Sequence, residues 1–443
     1  MQAAPSPVCN VKEFGATGDG VHKETTAIAK AISACVANGG GVVYFPAGKF
    51  LTGAITLASN ITLQVGPGAT LLGSPDPADY PLRQSPWGGE QIISSLIYGK
   101  NLENVSVTGP GTIDGQGLVW WKRQWLITPK KNVPPITDIT LAQAKQALAH
   151  GRPHMIKIVS SKHVRLEGLT LINSASWTVN PVFSEFVNIT GLTIINPVPS
   201  PNTDGINPES CREVHIANCH IDVGDDCITL KSGKDEAGRR AARPNENITI
   251  TGCTMRKGHG GVVIGSEMSG GVRNVAISNC VFNGTDKGIR IKSQRGRGGV
   301  VEGITADNIV MQDVPEAINI TTFYSGSDTI DEKHPVGEGT PRFRDIRISN
   351  VTARGSKTAG SITGLEEMPI SEITLSNVRI QAAQGFLIRN AKDIAFYDVR
   401  IDAAKGPAIY GNNIDGLEIS GFRKPVMDLK SVQNLLFRGF SAP

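Results

Sequence analysis

Four short strings of charged and small residues stand out in this chain: Asn202-Thr-Asp-Gly205, Gly224-Asp-Asp226, Gly258-His-Gly260 and Arg290-Ile-Lys292. Asp204 and Asp226 are 22 residues apart, His259 follows after 33, and Lys292 after another 33. Three carboxylates, an imidazole and two cations in such a series suggest acid–base work on an anionic substrate. Carboxylates brought close together disfavour each other's charge, so at least one of Asp204, Asp225 and Asp226 is expected to keep its proton near neutral pH. Hydrolysis of a glycosidic bond needs that inequality: one acid protonates the leaving oxygen, and one carboxylate activates water or attacks. The cations Arg290 and Lys292 suit sugars that carry carboxylates. Alone, each string reads as a turn, because Asp, Asn and Gly are ordinary turn material. Together they make a site only if a repeat brings them into line.

Such a repeat is present. Alternating segments begin at His163, Val187, Val214, Ile248, Val275, Ile304, Ile346, Ile373 and Ile394, for example Val275-Ala-Ile-Ser-Asn-Cys-Val-Phe. From Val187 onward the steps are 27, 34, 27, 29, 42, 27 and 21 residues. Each segment is strand, Asn or Gly, strand, and Asn and Gly accept the left-handed backbone that turns the chain sharply. A period in this range with no helix between strands predicts an all-β fold, a right-handed parallel β-helix. A leucine-rich horseshoe is disfavoured because its Leu-x-x-Leu-x-Leu signature is missing. Coils stack about 4.8 Å apart, so one polar string per coil forms a stripe roughly 15 Å long. Cys219, Cys253 and Cys280 occupy equivalent positions and are expected as a column of small inward side chains.

The two ends and two insertions depart from the repeat. Residues 1–9 are expected as a flexible tail and 10–443 as one catalytic domain. Within 24–36, Ile28, Ala31, Ile32 and Cys35 have helical spacing, which predicts a helix capping the open end of the solenoid. Phe14-Gly-Ala-Thr-Gly-Asp-Gly lacks the lysine of a phosphate loop and reads as a turn. The insertion 118–153 carries Trp120, Trp121 and Trp125 and a helix expected at 141–150. The second, 233–244, carries Lys234, Arg239, Arg240 and Arg243.

Composition narrows the class. Aromatic residues make up 5% of the chain, with 50 Gly and 26 Pro, which suits short strands and tight turns. A net charge of +4 does not point to nucleic acid. No apolar run approaches the roughly 18–20 residues that cross a bilayer. No CxxC pair is present, and neither a metal nor a cofactor is expected. The extended Pro/Ala/Ser start reads as a mature secreted or periplasmic protein without its leader, and a monomer is expected.

The four strings in this order, with Gly111-Thr-Ile-Asp-Gly-Gln-Gly and Phe14-Gly-Ala-Thr-Gly-Asp-Gly before them, resemble the signature of glycoside hydrolase family 28, the polygalacturonases. That resemblance implies an inverting hydrolase of α-1,4-linked galacturonate chains. It gives Asp225 the role of general acid, while Asp204 and Asp226 hold the attacking water. It also implies that His259 tunes the group and that Arg290 and Lys292 grip substrate carboxylates. Tyr324 is the candidate for a tyrosine that relatives carry one coil further on. With the same resemblance go Asn202, Lys231, Glu267 and Trp177 as substrate-binding positions. Asn180 stands in Trp177-Thr-Val-Asn-Pro where relatives carry His, and is expected to bond sugar hydroxyls. Gly233-Lys-Asp-Glu-Ala-Gly-Arg-Arg and Gly265-Ser-Glu-Met-Ser-Gly-Gly resemble exo-acting bacterial members, and Arg239 and Arg240 are expected to anchor a terminal uronate. Rival readings are an endo-acting enzyme, a rhamnogalacturonan or xylogalacturonan hydrolase, a Ca²⁺-dependent pectate lyase, and a carbohydrate-binding β-helix without catalysis.

Overall fold

The computed structural model describes residues 7–324, 332–421 and 426–438. The fold class is the expected one, an all-β, right-handed parallel β-helix with an N-terminal helix. By its internal contacts the chain forms two compact units, Met1–Asp225 and Asp226–Pro443.

The first unit opens with a tied-down strand. Residues 1–6 of the expected tail lie outside the described residues, but Val8–Asn10 is a strand in register with Val42, Val43 and Tyr44. Cys9 forms a disulfide with Cys35, so residues 8 and 9 are fixed rather than flexible. Helix α1 (Thr25–Ala37) buries Ile28, Ala31, Ile32 and Cys35, the face anticipated from spacing. Glu24, just before it, is 3% exposed. Its carboxylate accepts hydrogen bonds from the Thr17 amide, the Thr17 hydroxyl and the Gly18 amide at 2.9, 2.7 and 3.0 Å. The Gly-rich turn thus already holds an internal anion.

Beyond this cap the coils stack in register, with a shift between Ala353 and Ser356. Val43, Leu63, Val107, Leu166, Ile189 and Ile216 pair in succession across parallel strands and are all buried. The second unit has its own column, Ile250, Ile277, Ala306, Ile348 and Leu375. Each buried Ile or Leu contributes roughly 1.5–3 kcal/mol relative to exposure. Repeat positions anticipated from sequence pair residue for residue, as Val187 with Val214 and Val275 with Ile304. The corners are left-handed as expected, for example Asn279 and Asn308 at φ 55° and 52°. Their side chains then bond along the column: Asn308 Nδ2 donates to Asn279 Oδ1 at 2.7 Å, and Asn377 Nδ2 to Asn350 Oδ1 at 2.6 Å. Cys219, Cys253 and Cys280 are all buried thiols; Cys253 meets Cys280, and Ile309 and Val351 continue that column.

The first insertion holds α2 (Leu118–Ile127) and α3 (Leu141–Ala147), the latter ending three residues short of the expected His150. Thr140 and Gln143 close α3 with a reciprocal capping box. Trp120, Trp121 and Trp125 are buried, and Trp121 Nε1 donates to the Ser174 carbonyl at 2.9 Å. The second insertion is also a short helix, α4 (Asp235–Ala241), with acids in its first turn and arginines in its last. Among the described residues no helix is long and apolar enough to cross a membrane.

Replacing Glu24 with Ala leaves three turn donors without their shared acceptor. A loss of about 1–3 kcal/mol is expected, read as a lower denaturant midpoint at unchanged slope.

Candidate active site

In a parallel stack, residues at equal strand positions lie above one another, and alternate residues share a face. In the first unit, strands Ile55–Thr56, Ile97–Lys100, Ile156–Val159 and Val179–Val182 form one parallel sheet. Its register aligns Thr56, Tyr98, Lys157 and Asn180 in a polar row. Bridges from Val179 to Ile206 and from Val182 to Glu209 add the next rung, and here the first string arrives. Asn202 takes a left-handed φ of 53°, and the Thr178 amide donates to the Asp204 carbonyl at 2.9 Å. Asp204 is 3% exposed, and its Oδ2 accepts from Asn207 Nδ2 at 3.0 Å. Carboxylate oxygens of Asp204 and Asp225 lie within 4.8 Å of one another.

A cation absent from the sequence reading serves this acid pair. The Arg152 guanidinium donates to the carbonyls of Ala175 and Pro201 at 2.7 and 2.6 Å and to Asn202 Oδ1 at 2.8 Å. Burial lowers its pKa to about 10, against the opposing pull of the Asp204 and Asp225 charges. Two carboxylates this close could also bridge a cation, but Arg152 already supplies positive charge beside both. Asn180 differs from expectation. It is fully buried, and its Nδ2 donates to the Asn207 carbonyl and Glu209 Oε2 at 2.9 and 3.3 Å. Its Oδ1 faces His154 Nδ1 at 3.2 Å. Asn180 is therefore a bracket beneath the site rather than a surface for sugar hydroxyls. Trp177 is half-buried, its ring 5.0 Å from that of His154.

Asp226, the next residue after Asp225, belongs to the second unit and is 1% exposed. Lys292 Nζ donates to its Oδ2 at 2.8 Å, and an Arg290 η nitrogen to its Oδ1 at 3.4 Å and to the His259 carbonyl at 3.3 Å. Arg290 and Lys292 share a face because one residue separates them on strand Lys287–Lys292. Tyr324 completes the group: Lys292 Nζ lies 4.9 Å and the Arg290 guanidinium 5.6 Å from its ring centre, within cation–π reach. A side chain at Gly260 would meet Val263 at 2.4 Å and Asp226 at 3.5 Å, so the glycine after His259 is a packing requirement. His259 Nε2 lies 4.0 Å from Asp286. Lys231, 4% exposed, donates to Glu267 Oε2 at 2.9 Å and holds that carboxyl down at about 2.

The arginines of the second insertion are placed differently from expectation. Arg239 donates to the Gly296 carbonyl at 2.5 Å and to Glu338 at 3.1 Å, so its donors brace α4. Arg240 is 70% exposed and lies 3.8 Å from Glu236, one turn away. Sequence reasoning missed Arg152, His154, Lys157, Asn207 and Glu209. Two clues were present: Asn207-Pro-Glu209 directly follows the first string, and Arg152-Pro-His154 closes the first insertion.

A parallel β-helix bearing paired carboxylates beside fixed cations is the equipment of a polysaccharide hydrolase. Glycosyl hydrolases family 28 matches residues 35–392. A probable polygalacturonase of Vitis vinifera is 37% identical over 383 residues, covering 84% of this chain and 74% of that one. An endo-polygalacturonase of Pectobacterium carotovorum subsp. carotovorum is 31% identical, covering 83% and 86%. The crystal structure of a hyperthermoactive exopolygalacturonase from Thermotoga maritima superposes with a TM-score of 0.78 at 32% identity, covering 90% and 93%. This chain belongs to glycosyl hydrolase family 28 and is a glycoside hydrolase.

The Lys231–Glu267 pair has a pH signature. Because Glu267 titrates lower in the folded state than in the unfolded chain, its contribution is complete above the ordinary glutamate range. It is lost as pH falls toward about 2. Lys231→Met is expected to flatten wild-type acid sensitivity in that window, read by thermal melts across the acid range.

Proposed function

We propose that this chain hydrolyses α-1,4-galacturonosidic bonds of polygalacturonate, acting from the non-reducing end and releasing mono- or digalacturonate. The observation that carries this reading is the close Asp204/Asp225 pair beside Arg152, followed in the chain by Asp226 with its cations Lys292 and Arg290. Asp225 protonates the leaving oxygen, and Asp204 and Asp226 orient and deprotonate the attacking water. Asn207 fixes Asp204 through its 3.0 Å hydrogen bond, so that carboxylate meets the water in a set orientation. Arg290 and Lys292 receive substrate carboxylates while their attraction to Asp226 keeps that acid in place. The Tyr324 ring holds both cations at its face. His259, on the same turn as Gly260, tunes protonation in the group. Lys231, Glu267, Asn202 and Trp177 belong to the substrate surface in this reading.

Inversion is the outcome that the resemblance to family 28 implies for this reading. The Asp204–Asp225 oxygens, within 4.8 Å, are closer than the roughly 6.5–9.5 Å common to inverting pairs. Stereochemistry is therefore a sharp test: the first product seen by proton NMR should be the β anomer. The exo preference is supported by similarity to the Thermotoga maritima exopolygalacturonase; the Pectobacterium relative keeps endo cleavage as the second reading. The Cys9–Cys35 disulfide supports action in an oxidising compartment, outside the cell or in the periplasm.

Chromatography of unmethylated trigalacturonate should show saturated mono- and digalacturonate, unaffected by EDTA. A new ultraviolet-absorbing product that needs Ca²⁺ would mean a lyase instead. Rapid viscosity loss of polygalacturonate with an early oligomer ladder would mean endo cleavage. Asp225→Asn should lower kcat by about 10²–10⁴-fold; unchanged turnover would remove Asp225 from the chemistry.

A further inference from the structure

A cavity of 390 Å³ lies in the first unit, at the low end of the roughly 300–1,000 Å³ usual for small-molecule sites. Its wall combines coil residues with residues 150–152 from the end of the first insertion. The Ile93 amide bonds to the His150 carbonyl at 3.0 Å and the Leu96 amide to the His154 carbonyl at 2.9 Å, which fixes the insertion to the coil below. Among the described residues no Asp or Glu lines the cavity, whereas Arg152, Lys157 and His154 do.

Lys157 is the anomaly. It is 7% exposed on a strand whose four residues are all buried. Among the described residues its ammonium has no hydrogen-bond partner; Glu209 acts on it only through space. A buried ammonium with three unused donors is costly, and this one faces a cavity. Arg152 is the opposite case, its donors spent on carbonyls and Asn202, so it contributes fixed charge. Burial and the nearby Lys157 charge keep the His154 imidazole neutral. Asn180 uses its amide nitrogen on other acceptors, so His154 Nδ1 donates to Asn180 Oδ1 and leaves Nε2 as an acceptor. Trp177 adds an aromatic face at 5.0 Å from that ring.

We propose that this cavity is a seat for a single uronate ring, in which Lys157 is a specificity-determining residue that bonds the sugar carboxylate. His154 Nε2 accepts from a ring hydroxyl, and Trp177 offers the apolar side. The inference rests on the galacturonan reading and deepens it: the seat takes the terminal, unesterified residue of the chain. The positive anchor thus comes from the first insertion and its underlying strand, not from the arginines of the second.

Calorimetry with the full chain tests this without turnover. Galacturonate should bind more tightly than galactose or galacturonate methyl ester by at least about tenfold, the worth of one charge-assisted hydrogen bond. Equal affinity for all three sugars would overturn the proposal. In Lys157→Met the preference should disappear. KM for trigalacturonate should rise about tenfold or more while kcat changes much less, and Lys157→Arg should recover part of the loss. A folded Lys157→Met, judged by an unshifted thermal melt, that keeps wild-type affinity and KM also overturns it. Should Lys157→Met fail to fold, Lys157→Gln takes its place, and an undiminished preference of acid over ester in that variant overturns the proposal. Selective galacturonate binding without product from trigalacturonate would support the seat while sinking the hydrolase reading.

Discussion

Backbone hydrogen bonding between parallel strands fixes the coil spacing at about 4.8 Å and locks residues of equal phase into columns. Everything else in this protein is built on those columns. Inward, the Val43-to-Ile216 column and the Ile250-to-Leu375 column supply the burial that holds each unit together. Outward, the same register turns residues far apart in sequence into neighbours, as with Tyr98, Lys157 and Asn180. A one-residue slip would exchange the two sets. The left-handed corners prevent it, because Asn side chains bonded along the column mark each coil's phase.

Buried charge is the second constraint. Asp226, Lys292, Lys231 and Lys157 are each under a tenth exposed, and desolvating such groups costs several kcal/mol per ion before any pairing. Asp226 recovers part of that through Lys292 and Arg290, and Lys231 through Glu267. Ion pairs of this kind are poor sources of net stability compared with well-packed apolar residues. Their value here is chemical: preset charges need no reorganisation when substrate arrives. Arg152 follows the same logic, fixed by carbonyls that cannot neutralise it.

The fold was legible because its signals are local and repeated. Val187, Val214, Val275 and Ile304 mark equal phases, and Asn279 and Asn308 mark corners whether or not the partner strand is known. The aspartate strings were legible for a related reason, since their spacing follows the coil. What stayed hidden depends on which hydrogen bonds are already spent. Nothing in the string Asn180-Pro shows that the amide is committed to Asn207, Glu209 and His154. Nothing in Arg239-Arg240 shows that Arg239 is taken by Gly296 and Glu338. Lys157 lies in Ile156-Lys-Ile-Val159, which reads as an ordinary half-exposed strand. Only the insertion wall, joined by the His150 and His154 carbonyls, turns its outward face into a cavity.

That strand also shows how one element divides stability from chemistry. Ile156 and Ile158 point into the coil and are 1% exposed, while Lys157 between them lines the cavity. Strand Lys287–Lys292 repeats the arrangement, with Ile289 and Ile291 inward and Arg290 and Lys292 on the polar side. A two-residue period gives alternate positions to core and site, so substitutions on one set leave the other's packing largely intact. The outward row can then vary in charge and reach while the inward column keeps the coil in phase. The cavity over Lys157 follows the same division: an insertion walls one stretch of the polar row, and the coil beneath keeps its repeat.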